Sequence, residues 1–351
     1  MPHRLVLLAS EPYSLPILRP LARQALARGH DVAWVASDAM AARLAPDEPR
    51  LTSRRALKAF APQAVFSTVN RIPPFFPGWQ VQLFHGLNLH KRDPAHGQHR
   101  VLGLFDLYCT HGPATTGPMQ AQAVERGDFV VVETGWPKLD PLFGGVSANA
   151  RGLREAAGGR PVAMFASTFN DPLSCSGECF EHIERLVARG DRYWLLTLHP
   201  MSPPERIERY RRLSGPNAVY LDSEHLIDML HAADALVCDT TSVAEEMALL
   251  GKPVVTVRHR KPQPFMHDVA SADGIDAALR AALSSPAARL EATNAYADTL
   301  HPARDGRASD RVLDAVESLI DGSLRPQRRR KARPWRRFWR SWKAMRELLP
   351  G

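Results

Sequence analysis

Residues 235–253 read ALVCDTTSVAEEMALLGKP. An aliphatic run, Ala235–Cys238, stops at Asp239, and three hydroxyl residues (Thr240, Thr241, Ser242) stand where a helical pattern begins. Gly251 stops that pattern after Leu250, and Pro253 leads into a second apolar run, Val254–Val257. Strand, polar turn, helix, glycine stop and strand is the repeating unit of a parallel α/β sheet. The same alternation runs through the rest of the chain. Leu5–Ala9 is followed by a helical pattern over Pro16–Arg28, ended by Gly29, and then by Asp31–Ala36, Ala64–Thr68, Val81–Phe84, Leu104–Cys109 and Phe129–Glu133. Between Phe143 and Gly159 the composition turns small and flexible, which marks a domain edge. A second series then gives Pro161–Ala166, Tyr193–Leu198 and Ala218–Leu221 ahead of the opening stretch. The pattern predicts an α/β protein of two Rossmann-like domains, 1–145 and 160–322, facing each other across a cleft, with a separate tail over 323–351.

The composition suits this architecture. A chain of 351 residues, 44% hydrophobic and 23% charged, has enough apolar material for two cores and is no disordered or collagen-like polymer. No run approaches the ~18 apolar residues of a spanning helix, and Leu5–Ala9 is too short for a signal peptide. A cytosolic protein is expected. The net charge of +8 is unevenly placed: from Leu324 onward there are eleven Lys/Arg and one Glu, +10, so the preceding residues sum to −2. The basicity belongs to the tail, and no nucleic-acid groove is expected on the folded body. Cys109, Cys175, Cys179 and Cys238 make no disulfide framework, and Cys175-x3-Cys179 lacks a second ligand pair for a metal.

Polar residues gather where the expected strands end. His85-Gly86, His111-Gly112-Pro113 and Thr134-Gly135-Trp136-Pro137-Lys138 do so in the first half; Ser167-Thr168-Phe169-Asn170, His199-Pro200 and Asp239–Ser242 do so in the second. Carboxyl ends of parallel strands are where ligands bind. The start of the helix after Asp239 offers unpaired N–H groups to a phosphate, with hydroxyls from Thr240, Thr241 and Ser242. Glu246, one turn beyond Ser242, is placed to accept hydrogen bonds from a ribose. The plainer alternative is that Asp239 and Ser242 only cap the helix. A hydroxyl that must lose its proton near neutral pH calls for an imidazole, which makes His85 the candidate base. His199 holds the matching place in the second half, as a donor to a phosphate group. Lys138 and Arg258 are candidates for charge neutralisation. Trp136 and Phe169 are expected to pack at the domain junction, Glu245 to be solvated, and His111, His225, His231, His259 and His267 to be structural. No D-x-D or Cys/His cluster points to a built-in metal, so a place is kept only for Mg²⁺ carried in on a phosphate ligand.

The 235–253 segment resembles the D-Y-S-S-x-x-x-D…L-G-K-P signature of the CDP-glycerol glycerophosphotransferase family, enzymes of teichoic-acid-type polymer synthesis. Further matches follow in the family's order: His85-Gly86 with Lys91, Thr134-Gly135-Trp136-Pro137-Lys138-Leu139-Asp140, Ser167-Thr168-Phe169 and Leu198-His199-Pro200. They span roughly Val81–Val257. The resemblance implies a GT-B-like fold and phosphoryl transfer, in which an acceptor hydroxyl attacks the β-phosphorus of CDP-glycerol and CMP leaves. It implies catalytic roles for His85 and His199. It places Gly86, Lys91, Gly135, Lys138, Ser167, Thr168, Asp239, Thr240, Thr241, Ser242, Glu246 and Arg258 around the substrate or nucleotide. The sequence departs from the family at several points: Thr240 replaces the aromatic, Glu246 the second Asp, His90 holds the usual place of the Lys, and Thr197 stands two residues before His199 where Lys is often seen. The implied activity moves glycerol phosphate, or a related polyol phosphate, from a CDP donor to a hydroxyl of an envelope glycan or glycolipid. A nucleotide-sugar glycosyltransferase or UDP-sugar 2-epimerase, which share a similar acidic run before G-K-P, is the enzymatic alternative. A peripheral membrane or RNA-binding protein on a decayed transferase fold is the non-enzymatic one, against which intact His85, His199 and Asp239–Ser242 argue.

After Pro334 the tail spaces Trp335, Phe338, Trp339, Trp342, Met345 and Leu349 along one helical stripe, with Arg336, Arg337, Arg340 and Lys343 on other faces. Basic amphipathic helices with such faces sit on anionic membranes. The tail is expected to dock the enzyme on the inner face of the cell membrane.

Overall fold

The structure is a computed structural model that describes residues 1–73, 76–87, 101–284 and 287–328. The first six strands are β1 (Arg4–Ala9), β2 (Asp31–Ala36), β3 (Ala64–Ser67), β4 (Trp79–Gln82), β5 (Leu107–Thr110) and β6 (Val130–Glu133). They form one parallel sheet in the order β2-β1-β3-β4-β5-β6. The next six are β7 (Val162–Ser167), β8 (Tyr193–Leu198), β9 (Ala218–Tyr220), β10 (Ala235–Cys238), β11 (Val254–Val257) and β12 (Met266–Val269). These form a second parallel sheet, β12-β11-β10-β7-β8-β9. Strand β7 is buried at every position and β1 at every position but Arg4, as a parallel strand covered by helices on both faces must be. That is why these strands read as unbroken apolar runs.

Both sheets are parallel, and each reverses its winding once. In the first sheet β2 and β3 lie on opposite sides of β1; in the second, β8 and β10 lie on opposite sides of β7. The crevice beyond the carboxyl ends at such a reversal is the natural ligand position. All eleven expected strands are present, with ends shifted by up to three residues. The twelfth, β12, was not expected. Met266-His267-Asp268-Val269 is an edge strand with partly exposed side chains behind a proline-rich turn, so its sequence lacks the apolar run.

The chain divides into two compact units. One comprises residues 1–86, 101–144 and 299–328; the other is essentially 145–298. The first unit gives way to the second at Gly144–Gly145, and the second unit ends at Asp298, short of the expected 322. The reason lies in the helix Ala308–Asp321. Its buried side chains Val312, Leu313, Val316 and Leu319 form one face, and it packs on the helix Leu15–Ala27 of the first unit. Asp140 accepts the N–H groups of Ala308 and Ser309 at 2.7 and 2.8 Å, which satisfies orphan donors at the helix start. Arg28 reaches Asp310, Asp314 and Glu317 at 2.6, 2.7 and 3.1 Å. Amphipathicity shows that a helix packs; it does not show which sheet it covers. Within the second unit, the small-residue stretch read as a domain edge contains a helix, Ala148–Ala156, packed on Leu226–Ala232. Among the described residues no helix is long and apolar enough to cross a membrane.

Candidate active site

In the first unit, β4 ends at Gln82 and the chain turns sharply. Phe84 is buried and adopts a left-handed φ of 58°, a conformation that strains a residue with a side chain. The buried Gln82 carboxamide holds this turn, accepting the N–H groups of Leu83 and Phe84 at 3.0 and 3.2 Å, while its nitrogen donates to Asn70 at 2.7 Å. His85 follows, half-buried. Its Nδ1 lies 3.0 Å from the carbonyl oxygen of Thr68, just beyond β3. A carbonyl only accepts, so Nδ1 carries the proton and Nε2 of the neutral ring carries the lone pair. Tyr13, beyond β1, stacks on the imidazole with centroids 4.9 Å apart, and Ser14 and Thr68 join their hydroxyls at 2.9 Å. The loops after β1, β3 and β4 thus hold His85 at the reversal point of the first sheet.

In the second unit, His199 follows β8 and is half-buried. Its Nδ1 accepts the N–H of Met201 at 3.1 Å. A backbone N–H only donates, so here the neutral ring carries its proton on Nε2. Phe169 lies over the ring, centroids 4.5 Å apart. The two neutral imidazoles therefore carry their protons on opposite nitrogens, Nδ1 in His85 and Nε2 in His199.

Asp239 ends β10 at the reversal point between β7 and β10 and is wholly buried. Its carboxylate accepts the Ser167 hydroxyl, the Thr168 N–H at 3.0 Å and the Cys175 N–H at 3.0 Å. Burial pushes its pKa up and these donors oppose the shift. Neither Asp239 nor Ser242 caps the following helix, Val243–Leu249, with its side chain, so the plain capping alternative fails. Thr240 is buried and its Oγ1 accepts the Arg260 N–H at 2.9 Å. Thr241 and Ser242 are half-buried. Glu246 is only 1% exposed, and so is Glu245, which corrects the expectation that Glu245 is solvated. Arg258, also left-handed at φ 50°, forms a two-pronged ion pair with Glu178 of the helix Ser176–Arg189.

The remaining expected residues are placed as follows. Gly86 is half-buried beside His85. Gly135 has φ 78°, and a Cβ there would lie 2.8 Å from His301 Nε2; the missing side chain makes room for that ring. Trp136 is buried within the first unit, donating its N–H to His301 Nε2 at 2.8 Å and lying 5.2 Å from His111. Lys138 Nζ sits 5.2 Å over the Trp136 ring. Lys91 and the amphipathic stretch 329–351 lie outside the described residues. Gln82, Tyr13, Thr68 and His301 were not singled out from sequence, since each acts through a backbone or ring contact that no motif announces. Among the described residues no group of His, Cys, Asp and Glu could hold a metal ion, and all four cysteines are free and buried.

A family model described as CDP-glycerol:poly(glycerophosphate) glycerophosphotransferase matches residues 82–259. Among solved structures, the wall teichoic acid polymerase TagF shares 16% identity over 92% of this chain and 91% of that chain, with a TM-score of 0.64. TagF has also been solved after a soak with CDPG. A UDP-N-acetylglucosamine 2-epimerase assigned in Listeria monocytogenes gives 15% identity, coverage of 93% and 99%, and a TM-score of 0.66. The S. aureus MnaA–UDP structure gives 13%, 92% and 99%, and 0.65. At these identities the likeness is one of fold. No curated protein matches the sequence.

Proposed function

Because the chain belongs to the CDP-glycerol:poly(glycerophosphate) glycerophosphotransferase family, we propose that it transfers glycerol phosphate, or a related polyol phosphate, from a CDP-linked donor to a hydroxyl of an envelope glycan or glycolipid, releasing CMP. The observation that carries the proposal beyond the family is the pair of opposed tautomers at His85 and His199. Phosphoryl transfer needs one group to take a proton from the attacking hydroxyl and others to steady the charge on the diphosphate. His85 Nε2 accepts the acceptor's proton as its oxygen attacks the β-phosphorus. The bond from that phosphorus to the bridging oxygen breaks, and CMP leaves with the bridging oxygen. His199 donates from Nε2–H to the diphosphate, helped by Thr241, Ser242, Lys138 and Lys91. Any Mg²⁺ would enter with the donor diphosphate. The basic tail, 323–351, brings the enzyme to the anionic inner face of the cell membrane, where such acceptors are built.

The fold is shared with UDP-sugar 2-epimerases, so the donor nucleotide separates the readings. The purified protein is given CDP-glycerol, CDP-ribitol and UDP-N-acetylglucosamine with membranes as acceptor, and released nucleotide and labelled polymer are measured. CMP release coupled to polyol-phosphate incorporation is expected. UDP release or sugar epimerisation, with CDP-glycerol untouched, would replace the proposal with the nucleotide-sugar alternative.

A further inference from the structure

We infer that Asp239 is a positioning residue: its buried carboxylate closes the loop 168–175 at both ends and so sets Phe169 against the imidazole of His199. The inference rests on the role given to His199 above and assigns Asp239 a different place from the nucleotide contact its motif suggests.

The carboxylate joins points seven residues apart. The Thr168 N–H opens the loop and lies 3.0 and 3.2 Å from the two carboxylate oxygens; the Cys175 N–H closes it at 3.0 Å. The Ser167 hydroxyl donates to the same group. Between these ends the loop is wound on itself, with the N–H groups of Leu173 and Ser174 both donating to the Asn170 carbonyl at 2.8 Å. A line of hydroxyls continues inward, Ser167 to Ser174 at 2.9 Å and Ser174 to Ser176 at 2.8 Å. A wholly buried carboxylate with these donors is already satisfied, and a nucleotide reaches it only if the loop opens. Phe169, one residue beyond Thr168, lies over the His199 ring with centroids 4.5 Å apart. Nδ1 is tied to the Met201 N–H, and the aromatic cover restricts the tilt of the ring and with it the direction of Nε2–H. Reacting groups held to such tolerance lose rate steeply when displaced.

Asp239→Asn tests this. Its amide nitrogen turns one accepting oxygen into a donor that faces other donors, so the loop ends are released. With full-length protein, kcat is expected to fall about 100-fold while KM for CDP-glycerol stays within about threefold. The His199 ring signal in ¹H–¹³C NMR, assigned with His199→Gln, should titrate at a changed pH. Phe169→Leu should reproduce both effects and Phe169→Tyr, which keeps the ring, should restore wild-type values. Because Phe169 is on the surface, this pair decides the matter even if Asp239→Asn fails to fold. A raised KM with unchanged kcat and unchanged His199 titration in Asp239→Asn would make Asp239 a donor contact and overturn the inference; so would a Phe169→Leu variant that behaves as wild type. The NMR readout needs no turnover. A shifted His199 titration in a protein that never consumes CDP-glycerol would sustain the positioning role and refute the transferase reading.

Discussion

His301 is expected to make the first unit acid-sensitive in a pH range where carboxylates are still ionised. Its ring is 1% exposed, and Nε2 is committed to accepting the Trp136 N–H at 2.8 Å. Protonation would turn that nitrogen into a donor facing a donor. Burial, with the Arg311 guanidinium nearby, lowers the pKa from 6.5 to about 4. The sign follows from linkage: between these values the unfolded chain binds more proton than the folded one, so stability is present above pH 6.5 and is lost as pH falls towards 4. With those two pKa values the loss from pH 7 to pH 5 is about 2 kcal/mol, approaching about 3 kcal/mol below pH 4. His301→Gln keeps an oxygen to accept the Trp136 N–H and does not titrate. Urea unfolding of both proteins at pH 7 and pH 5 isolates the effect, since the carboxylates are common to both. The wild type should lose about 2 kcal/mol more than the variant over that interval. Equal losses would refute the reasoning.

Gly135→Ala combines a left-handed backbone with a Cβ 2.8 Å from His301 Nε2 and 3.2 Å from Ala308 Cβ, and should cost about 2 kcal/mol or more in thermal unfolding, whereas a wild-type melting temperature would show that the 299–328 segment yields easily. Removal of residues 329–351 should abolish sedimentation with vesicles rich in anionic lipid while leaving CMP release from CDP-glycerol with a soluble acceptor within about twofold; retained vesicle binding would exclude the tail as the anchor.

Much of the fold was legible because the physics that builds parallel sheets also writes their sequence. Leu5–Ala9 and Ala235–Cys238 are buried on both faces and read as apolar runs, while β12, half-exposed at an edge, leaves no such trace. The helix Ala308–Asp321 shows its apolar face in sequence, but its docking on the first unit depends on Asp140 and Arg28, far away in the chain. Both histidines were found because polar residues at strand ends stand out against buried runs. Their tautomers were not, since they are fixed by a carbonyl at Thr68 and an N–H at Met201 that any residue would supply. A carboxylate beside hydroxyls, as at Asp239, looks the same in sequence whether it meets a substrate or a loop. Only its burial and its donors tell the two apart.

The account stands most directly on single-turnover measurement of CMP formation from CDP-glycerol with wild type, His85→Gln and His199→Gln, each at saturating donor. Loss of about 10²–10⁴-fold in each variant is predicted for a base and a charge-stabilising donor. Turnover at the wild-type rate in both would contradict it.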